Sequence, residues 1–386
     1  YLAADRFGLR QRAANFALDD VPAATALVHD AGAKAYVTLN ALMDADDLKA
    51  LPAYLEALAA AGVDAFIVSD LGALRLVQRH APNVELHVST QASVCNAEAA
   101  RVWHELGASR VVCAREMSVE DIARLRAGAP RELELEAFVH GAMCMAVSGR
   151  CLISAALTGR SGNKGHCTQP CRWSYALVEE QRPGEFFPVE EDVRGTYVMN
   201  AQDLNMLAHL DDLVAAGIDS FKIEGRNKKA FYVASVVRAY RLALDGVPSS
   251  ELADELLAVS HRPYGTGFYY GDARQSPDVD GYTAECRHAA TVEACEPAGE
   301  GAFRVIARCY NRFCEGDELE ALSPGPHVPL VRVRNLAWLP APDGDDAQPK
   351  RVPVAVANRS AERYAFETGE ELAPGDFLRM RINVER

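Results

Sequence analysis

Four cysteines crowd one stretch of the chain, Glu136 to Trp173, which reads EAFVHGAMCMAVSGRCLISAALTGRSGNKGHCTQPCRW. Cys144, Cys151, Cys167 and Cys171 follow the spacing Cys-x6-Cys-x15-Cys-x3-Cys. Soft thiolates grouped in this way select zinc or an iron–sulfur cluster. Structural zinc sites favour paired Cys-x2-Cys or Cys-x4-Cys knuckles, and no Cys-x2-Cys occurs here. The neighbours are small (Gly141, Ala142, Ala146, Gly149, Gly162, Gly165), which allows backbone N–H groups to approach cluster sulfides. No Asp or Glu lies between Ala137 and Val178, while Arg150, Arg160, Lys164 and Arg172 add four positive charges. A cubane held by four thiolates is anionic, and these cations would offset it. The pattern favours an iron–sulfur site over zinc and over structural or redox thiols, and spacing alone leaves all three open.

A second set of charged residues alternates along two short apolar runs. Glu136, Phe138 and His140 share one face of an extended segment, as do Lys222, Glu224 and Arg226. A buried Glu136 needs a cationic partner, and Lys222 or Arg226 can supply it. Three charges on one strand face form either a structural ion network or a clamp for a carboxylate or phosphate, and the clamp is favoured. His140, at the end of its run, is either a satisfied packing residue or a functional one. Ser89, Thr90 and Gln91 follow another run and Arg115-Glu116 a third; Asn96 has an alternative role as a helix cap before Ala97. Lys228-Lys229 reads as a solvated helix start. Hydrolase motifs are incomplete: Ala108 stands where a zinc protease helix starting at His104-Glu105 needs its second histidine. Asn163 likewise interrupts a Gly-x-Ser-x-Gly pattern begun at Gly159. There is no P-loop and no complete dinucleotide fingerprint.

The elements that must position these residues alternate in type. Helical periodicity marks Val21–Ala31, Leu51–Ala61, Leu71–His80, Ala97–Leu106, Val119–Ala127, Met206–Ala216 and Phe231–Leu244. Between them stand apolar runs at Ala35–Leu39, Ala65–Val68, Glu85–Val88, Arg110–Cys113, Leu133–Val139 and Ser220–Ile223. This alternation predicts parallel βαβ units. Each run ends in polar residues, such as Thr38-Leu39-Asn40 and Ser89-Thr90-Gln91, as strands do when their carboxyl ends share one mouth. The expected fold is α/β: a (β/α)8 TIM-like barrel over 1–275 that carries the cysteine-rich segment 136–195 as an insertion. Tyr1-Leu2 reads as the end of a strand, so a first strand before Tyr1 is expected to be missing. From about Gly281 short alternating runs and turns at Glu315-Gly316-Asp317 and Pro374-Gly375-Asp376 predict a small all-β barrel or sandwich over 281–386. A net charge of −14 argues against bulk electrostatic binding of nucleic acid, though not against a local basic site. No run of 18 apolar residues suggests a membrane helix. Clustering of four of the ten cysteines favours a reducing compartment, the cytoplasm, with the other six as packing residues.

EAFVHGAMCMAVSGRCLIS resembles the signature of the collagenase-like peptidase family (peptidase family U, number thirty-two). GRSGNKGHCTQPCRWSY, LVEEQRPGEFFPVEED and SFKIEGRNK are most similar to its tRNA-hydroxylating, TrhP-type branch. NRFCEGDELEALSP resembles that branch's carboxyl-terminal β domain. The resemblance implies an oxygen-independent RNA hydroxylase that forms 5-hydroxyuridine at the tRNA wobble position, using prephenate and a 4Fe–4S cluster. It implies Cys144, Cys151, Cys167 and Cys171 as cluster ligands, and His140, Glu136, Arg115, Lys222, Glu224 and Arg226 as residues lining the site. The implied partners are tRNA and the dicarboxylate prephenate, with no membrane. Relatives in the superfamily act on ribosomal RNA or ubiquinone precursors, and the family name preserves a collagenase assignment; both stand as alternatives.

Overall fold

Short apolar runs alternate with capped helices through the first half of the chain. The computed structural model describes residues 1–9, 15–143, 151, 153–173, 176–177, 187–188, 202–271, 273, 282–299, 301–340 and 350–382. It contains two compact units, Tyr1–Lys228 with Arg262–Asp280, and Lys229–His261 with Gly281–Arg386.

The first unit runs α1 (Val21–Asp30), β1 (Tyr36–Leu39), α2 (Ala45–Ala60), β2 (Ala65–Val68), α3 (Leu71–His80), β3 (Glu85–Val88), α4 (Ala97–Glu105), β4 (Arg110–Val112), α5 (Val119–Gly128) and β5 (Glu134–Ala142). It continues through α6 (Ile153–Thr158), β6 (Asp203–Asn205), α7 (Leu210–Ala215), β7 (Ser220–Ile223) and β8 (Tyr264–Gly265). Strands β1 to β5 pair in parallel in chain order, and β7 pairs in parallel with β5. The helices start where the side chains permit. Asp44 and Ser118 form capping boxes with Asp47 and Asp121 at α2 and α5, and Asp70 and Asn96 cap α3 and α4. Asn96 thus has the capping role. Helix α2 begins six residues before the expected start at Leu51, because the Asp44 cap nucleates it and Pro52 is accommodated inside.

Each helix buries one stripe on the sheet. In α3 these are Ala73, Leu74 and Val77, all at most 2% exposed, and burying a Leu or Val contributes roughly 1.5–3 kcal/mol. Strands β2 and β3 bury nearly every residue, as a parallel sheet covered on both faces requires. Two strands of this sheet, β6 and β8, are not legible in the sequence. Strand β6 pairs antiparallel with the end of β5 and parallel with β8. They are joined by a buried ion pair, Arg262 Nη2 to Asp203 Oδ1 at 2.6 Å. Leu2 makes a parallel bridge to Val37, so the Tyr1-Leu2 stub adds to the β1 edge. Among the described residues backbone pairing leaves the sheet open, against the expected closed ring: no strand hydrogen-bonds both this edge and β7. Side chains span the gap instead. Tyr1 Oη donates to Glu224 Oε2 at 3.0 Å, and Lys222 Nζ lies 4.0 Å from the centre of the Tyr1 ring.

The second unit is an antiparallel eight-stranded sheet, with a separate two-stranded pair (Phe313–Cys314 with Val356–Ala357). The strand Cys286–Gly299 sits at its centre between Ala302–Cys309 and Phe377–Arg381. Two helices, Ala230–Leu244 and Ser249–Leu257, belong to this unit. Arg379, 1% exposed, binds Glu255 at 2.8 Å and Glu320 at 2.7 Å, locking the second helix to the sheet. Among the described residues no helix is long and apolar enough to cross a membrane.

Candidate active site

A pocket partly open to solvent lies at the carboxyl ends of the parallel strands. Thr38 and Asn40 reach it from β1, Ile67 from β2, Ser89, Thr90 and Gln91 from the turn after β3, and Arg115 from the loop after β4. Phe138 enters from β5, and Lys222, Glu224 and Arg226 from the end of β7. Four of the six non-cysteine site residues expected from sequence therefore meet on one wall: Arg115, Lys222, Glu224 and Arg226.

Glu136 sits behind that wall, 4% exposed. Lys222 Nζ donates to its Oε1 at 2.6 Å, Ser220 Oγ to Oε2 at 2.9 Å and Arg110 Nη1 to Oε2 at 3.1 Å. Burial alone would raise this carboxyl; the Lys222 ammonium, then Arg110 and the Ser220 hydroxyl, outweigh it and hold the group at about 2. Glu136 is an ionised anchor for Lys222. Arg110 was missed by the sequence reading, although its place at the start of β4, in register with Glu134, puts it on the same layer.

His140 is buried but is not on the pocket wall; its ring centre lies 5.4 Å from that of Tyr264. The alternation that put it on the face of Glu136 and Phe138 is broken by a bulge: Phe138 pairs with Lys222 and His140 with Ile223, leaving Val139 as the extra residue. Gly141 follows at φ +113°, where a Cβ would stand 2.6 Å from the Glu224 carbonyl oxygen. Only glycine lets β5 pass this close to the segment carrying Glu224 and Arg226.

The two arginines are held by few bonds. Arg115 Nη1 donates to the Ala142 carbonyl at 3.0 Å, and its guanidinium lies 3.9 Å from the Phe138 ring centre. Arg226 Nη1 donates to Thr38 Oγ1 at 2.8 Å. The Nε of each is buried without a hydrogen-bond partner among the described residues. Glu224 accepts from Tyr1 Oη and, at 3.3 Å, from the Arg226 backbone N–H. Two guanidinium groups and an ammonium lining one pocket are suited to a small anion.

Cys144 and Arg150 lie outside the described residues, as does most of the acidic loop 179–192. Cys151, Cys167 and Cys171 are thiols of intermediate burial. Two of the sulfurs already accept backbone N–H groups, Cys151 from Ile153 at 3.4 Å and Cys167 from Gln169 at 3.3 Å. Gly162 leaves room beside Cys167, where a Cβ would stand 3.4 Å from the cysteine Cβ. Among the described residues no three His, Cys, Asp or Glu side chains are yet gathered into a metal site. The donor set, clustered thiols with N–H groups on two of the sulfurs, fits a thiolate-bound group. The segment is fastened near the end of β1: Leu42 N–H donates to the Asn163 carbonyl, and Lys164 Nζ binds Asp44 and Asp47, each at 2.7 Å. Lys164 was expected to offset a cluster's charge, and its charge is instead taken up by these two carboxylates. Of the six scattered cysteines, Cys113, Cys286 and Cys309 are buried packing thiols, with burial pushing Cys113 up to about 12 and Cys309 up to about 11. Cys95 is exposed, and Cys295 and Cys314 are partly buried.

Fold and pocket together define an α/β protein with a cation-lined pocket at the carboxyl ends of a parallel sheet. The chain belongs to peptidase family U32, whose model matches residues 1–278. It is 33% identical over 376 residues to tRNA hydroxylation protein P of Escherichia coli, an alignment covering 85% of this chain and 82% of that protein. It is 32% identical over 389 residues to tRNA hydroxylation protein P1 of Bacillus subtilis, covering 98% and 89%. Over 247 residues it is 37% identical to the 23S rRNA 5-hydroxycytidine C2501 synthase of E. coli, covering 64% of this chain and 36% of that protein.

Proposed function

We propose that this chain is a tRNA-modifying hydroxylase, which forms 5-hydroxyuridine at the wobble position without molecular oxygen and uses prephenate as co-substrate. The observation that carries the reading is the pocket lined by Arg115, Lys222 and Arg226 at the strand ends, in a chain matched over most of its length by proteins named for tRNA hydroxylation. Arg115 and Arg226 take the carboxylates of the small ligand, and Lys222, oriented by Glu136, adds a third positive charge to the wall. Phe138 and Ile67 give its carbon skeleton an apolar surface. Cys151, Cys167 and Cys171, with Cys144, would hold a 4Fe–4S cluster, which when bound supplies one-electron redox capacity that no side chain here has. The sheet is read as a (β/α)8-type barrel, a reading supported by the Tyr1 contacts that bridge its two edges.

Proteolysis is less well supported. Among the described residues neither hydroxyl after β3 is bonded to a base: Ser89 Oγ accepts from Asn40 Nδ2 and the Gln91 N–H, and Thr90 Oγ1 donates to the Cys113 carbonyl. The test is nucleoside mass spectrometry of tRNA and ribosomal RNA from a strain lacking the native hydroxylase and complemented by this chain. Restored 5-hydroxyuridine in tRNA is the expected result. A hydroxylated nucleoside in ribosomal RNA alone would move the substrate, and no new nucleoside would overturn the reading. Colourless protein carrying one zinc after anaerobic purification would remove the cluster.

A further inference from the structure

We propose that a second pocket, beside the first, takes one unpaired base of the RNA adjoining the base that is modified, with Arg6 and His166 as its stacking faces. This rests on the RNA-modifying reading of the chain and gives that RNA a second point of attachment. The second pocket lies between the loop before α1 and the cysteine segment. Asp5, Arg6 and Phe7 line one side, Lys164 and His166 the other, and Ala41 and Asp47 join them from the stretch after β1. Asn40 lines the first pocket and Ala41 the second, so the two are neighbours at the end of β1. The loop is held in place from both ends. Tyr54 Oη donates to Asp5 Oδ1 at 2.7 Å and accepts the Arg6 N–H at 3.3 Å, and the Ala41 N–H donates to the Phe7 carbonyl at 2.9 Å. Phe7 has φ +63°, a conformation that a bulky residue keeps only where its surroundings enforce it. That turn buries the Phe7 ring edge to face against Tyr54, 5.2 Å between centres. It leaves Arg6 exposed, its guanidinium 4.6 Å from the Phe7 ring centre. Among the described residues that guanidinium has no hydrogen bond or ion pair, and neither has the exposed imidazole of His166.

Charge favours a base here over a phosphate. Asp5 and Asp47 line the same pocket as Arg6 and Lys164, so its fixed charges balance, and Lys164 is already bonded to Asp44 and Asp47 at 2.7 Å each. A phosphate brought to this place meets two carboxylates. A neutral base carries no such penalty and finds two planar groups, a guanidinium and an imidazole, of the kinds on which unpaired RNA bases stack. The net charge of −14 gives RNA little bulk attraction, so contacts to bases must supply a larger share of the binding. Position completes the argument. An enzyme that works on one base must draw it away from its stacked neighbours. A pocket next door that stacks the adjoining base offsets that loss.

Equilibrium binding of anticodon stem-loop RNAs to the anaerobically purified full chain tests this, with a series in which each loop position in turn lacks its base. The wild type is compared with Arg6→Ala, Arg6→Lys, His166→Ala and His166→Phe. At one loop position, removing the base should weaken wild-type binding about tenfold. Arg6→Ala and His166→Ala should each weaken the intact RNA, and at that position the loss from the substitution and the loss from the missing base should not add. His166→Phe keeps a stacking face and should retain affinity. Arg6→Lys keeps the charge without the plane and should behave as Arg6→Ala does. Full affinity in Arg6→Lys, or losses that add at every loop position, would make the contact one to phosphate and overturn the base site. Unchanged binding in both alanine variants, or no binding of any stem-loop to the folded wild type, would overturn it as well. Coupling at one position with no hydroxylated nucleoside formed would sustain the pocket and overturn the hydroxylase reading; hydroxylation without coupling would do the reverse. Circular dichroism of each variant verifies that it is folded.

Discussion

Replacing Lys222 by Met isolates what holds the pocket wall together. Glu136 is buried, and its carboxyl is held at about 2, against the ordinary glutamate value near 4.5, because the Lys222 ammonium and Arg110 outweigh the burial penalty. That lowering corresponds to roughly 3 kcal/mol of preference for the ionised form, the same order as the ~3–5 kcal/mol cost of stripping one partner from a buried pair. Lys222 is the largest favourable contributor, so Lys222→Met should cost the first unit about 3 kcal/mol at neutral pH. The double variant Glu136→Gln, Lys222→Met removes both charges and should recover most of it. The sign with pH follows from the depressed value. This stabilisation is complete above about pH 4.5 and is lost as the pH falls toward 2, and it should be absent in Glu136→Gln. Hydrogen exchange of peptides covering β5 and β7, followed by mass spectrometry across a urea series, reads the local stability directly. Equal protection in the wild type and Lys222→Met, or a double variant no more stable than Lys222→Met, would refute the ion-network account of this wall.

Gly141→Ala should cost more than about 2 kcal/mol, since the residue has φ +113° and its Cβ would stand 2.6 Å from the Glu224 carbonyl; differential scanning calorimetry shows the loss, and prephenate affinity should fall with it. Cys151→Ser should lower bound iron and sulfide together with visible colour, with elemental analysis after anaerobic purification as the measurement. Full iron retention would remove Cys151 from the ligand set. In the second unit His288 stacks between aromatic neighbours, 5.2 Å from Phe231 and 4.4 Å from Tyr310, and burial lowers it to about 4. The unfolded chain then binds the extra proton more readily, so this contribution is complete above about pH 6.5 and is lost as the pH falls toward 4. His288→Phe should flatten that part of the pH–stability curve, measured as exchange of the 286–299 strand.

What could be read from the residues, and what could not, divides along the range of the interaction. Alternation of apolar runs and capped helices is local, and it placed Leu71–His80, Ala65–Val68, Glu85–Val88 and Ser220–Ile223 with their observed bounds. The shared face of Lys222, Glu224 and Arg226 is equally local, because a regular strand must alternate. His140 defeated the same rule two strands away, since the bulge at Val139 is imposed by pairing with β7, across more than 80 residues of sequence. Partner choice was non-local as well. Lys164 could have served a cluster by charge alone, and only the fold brings Asp44 and Asp47 to it. Asn40 illustrates the sharpest form of the limit. Its sequence position says only that a polar residue ends a strand; the fold ties its amide to Ser89, at the end of a strand 49 residues away. A motif can therefore indicate which residues gather at a site, but the fold decides which of their charges and hydrogen bonds are already taken by neighbours, as Lys222 is by Glu136.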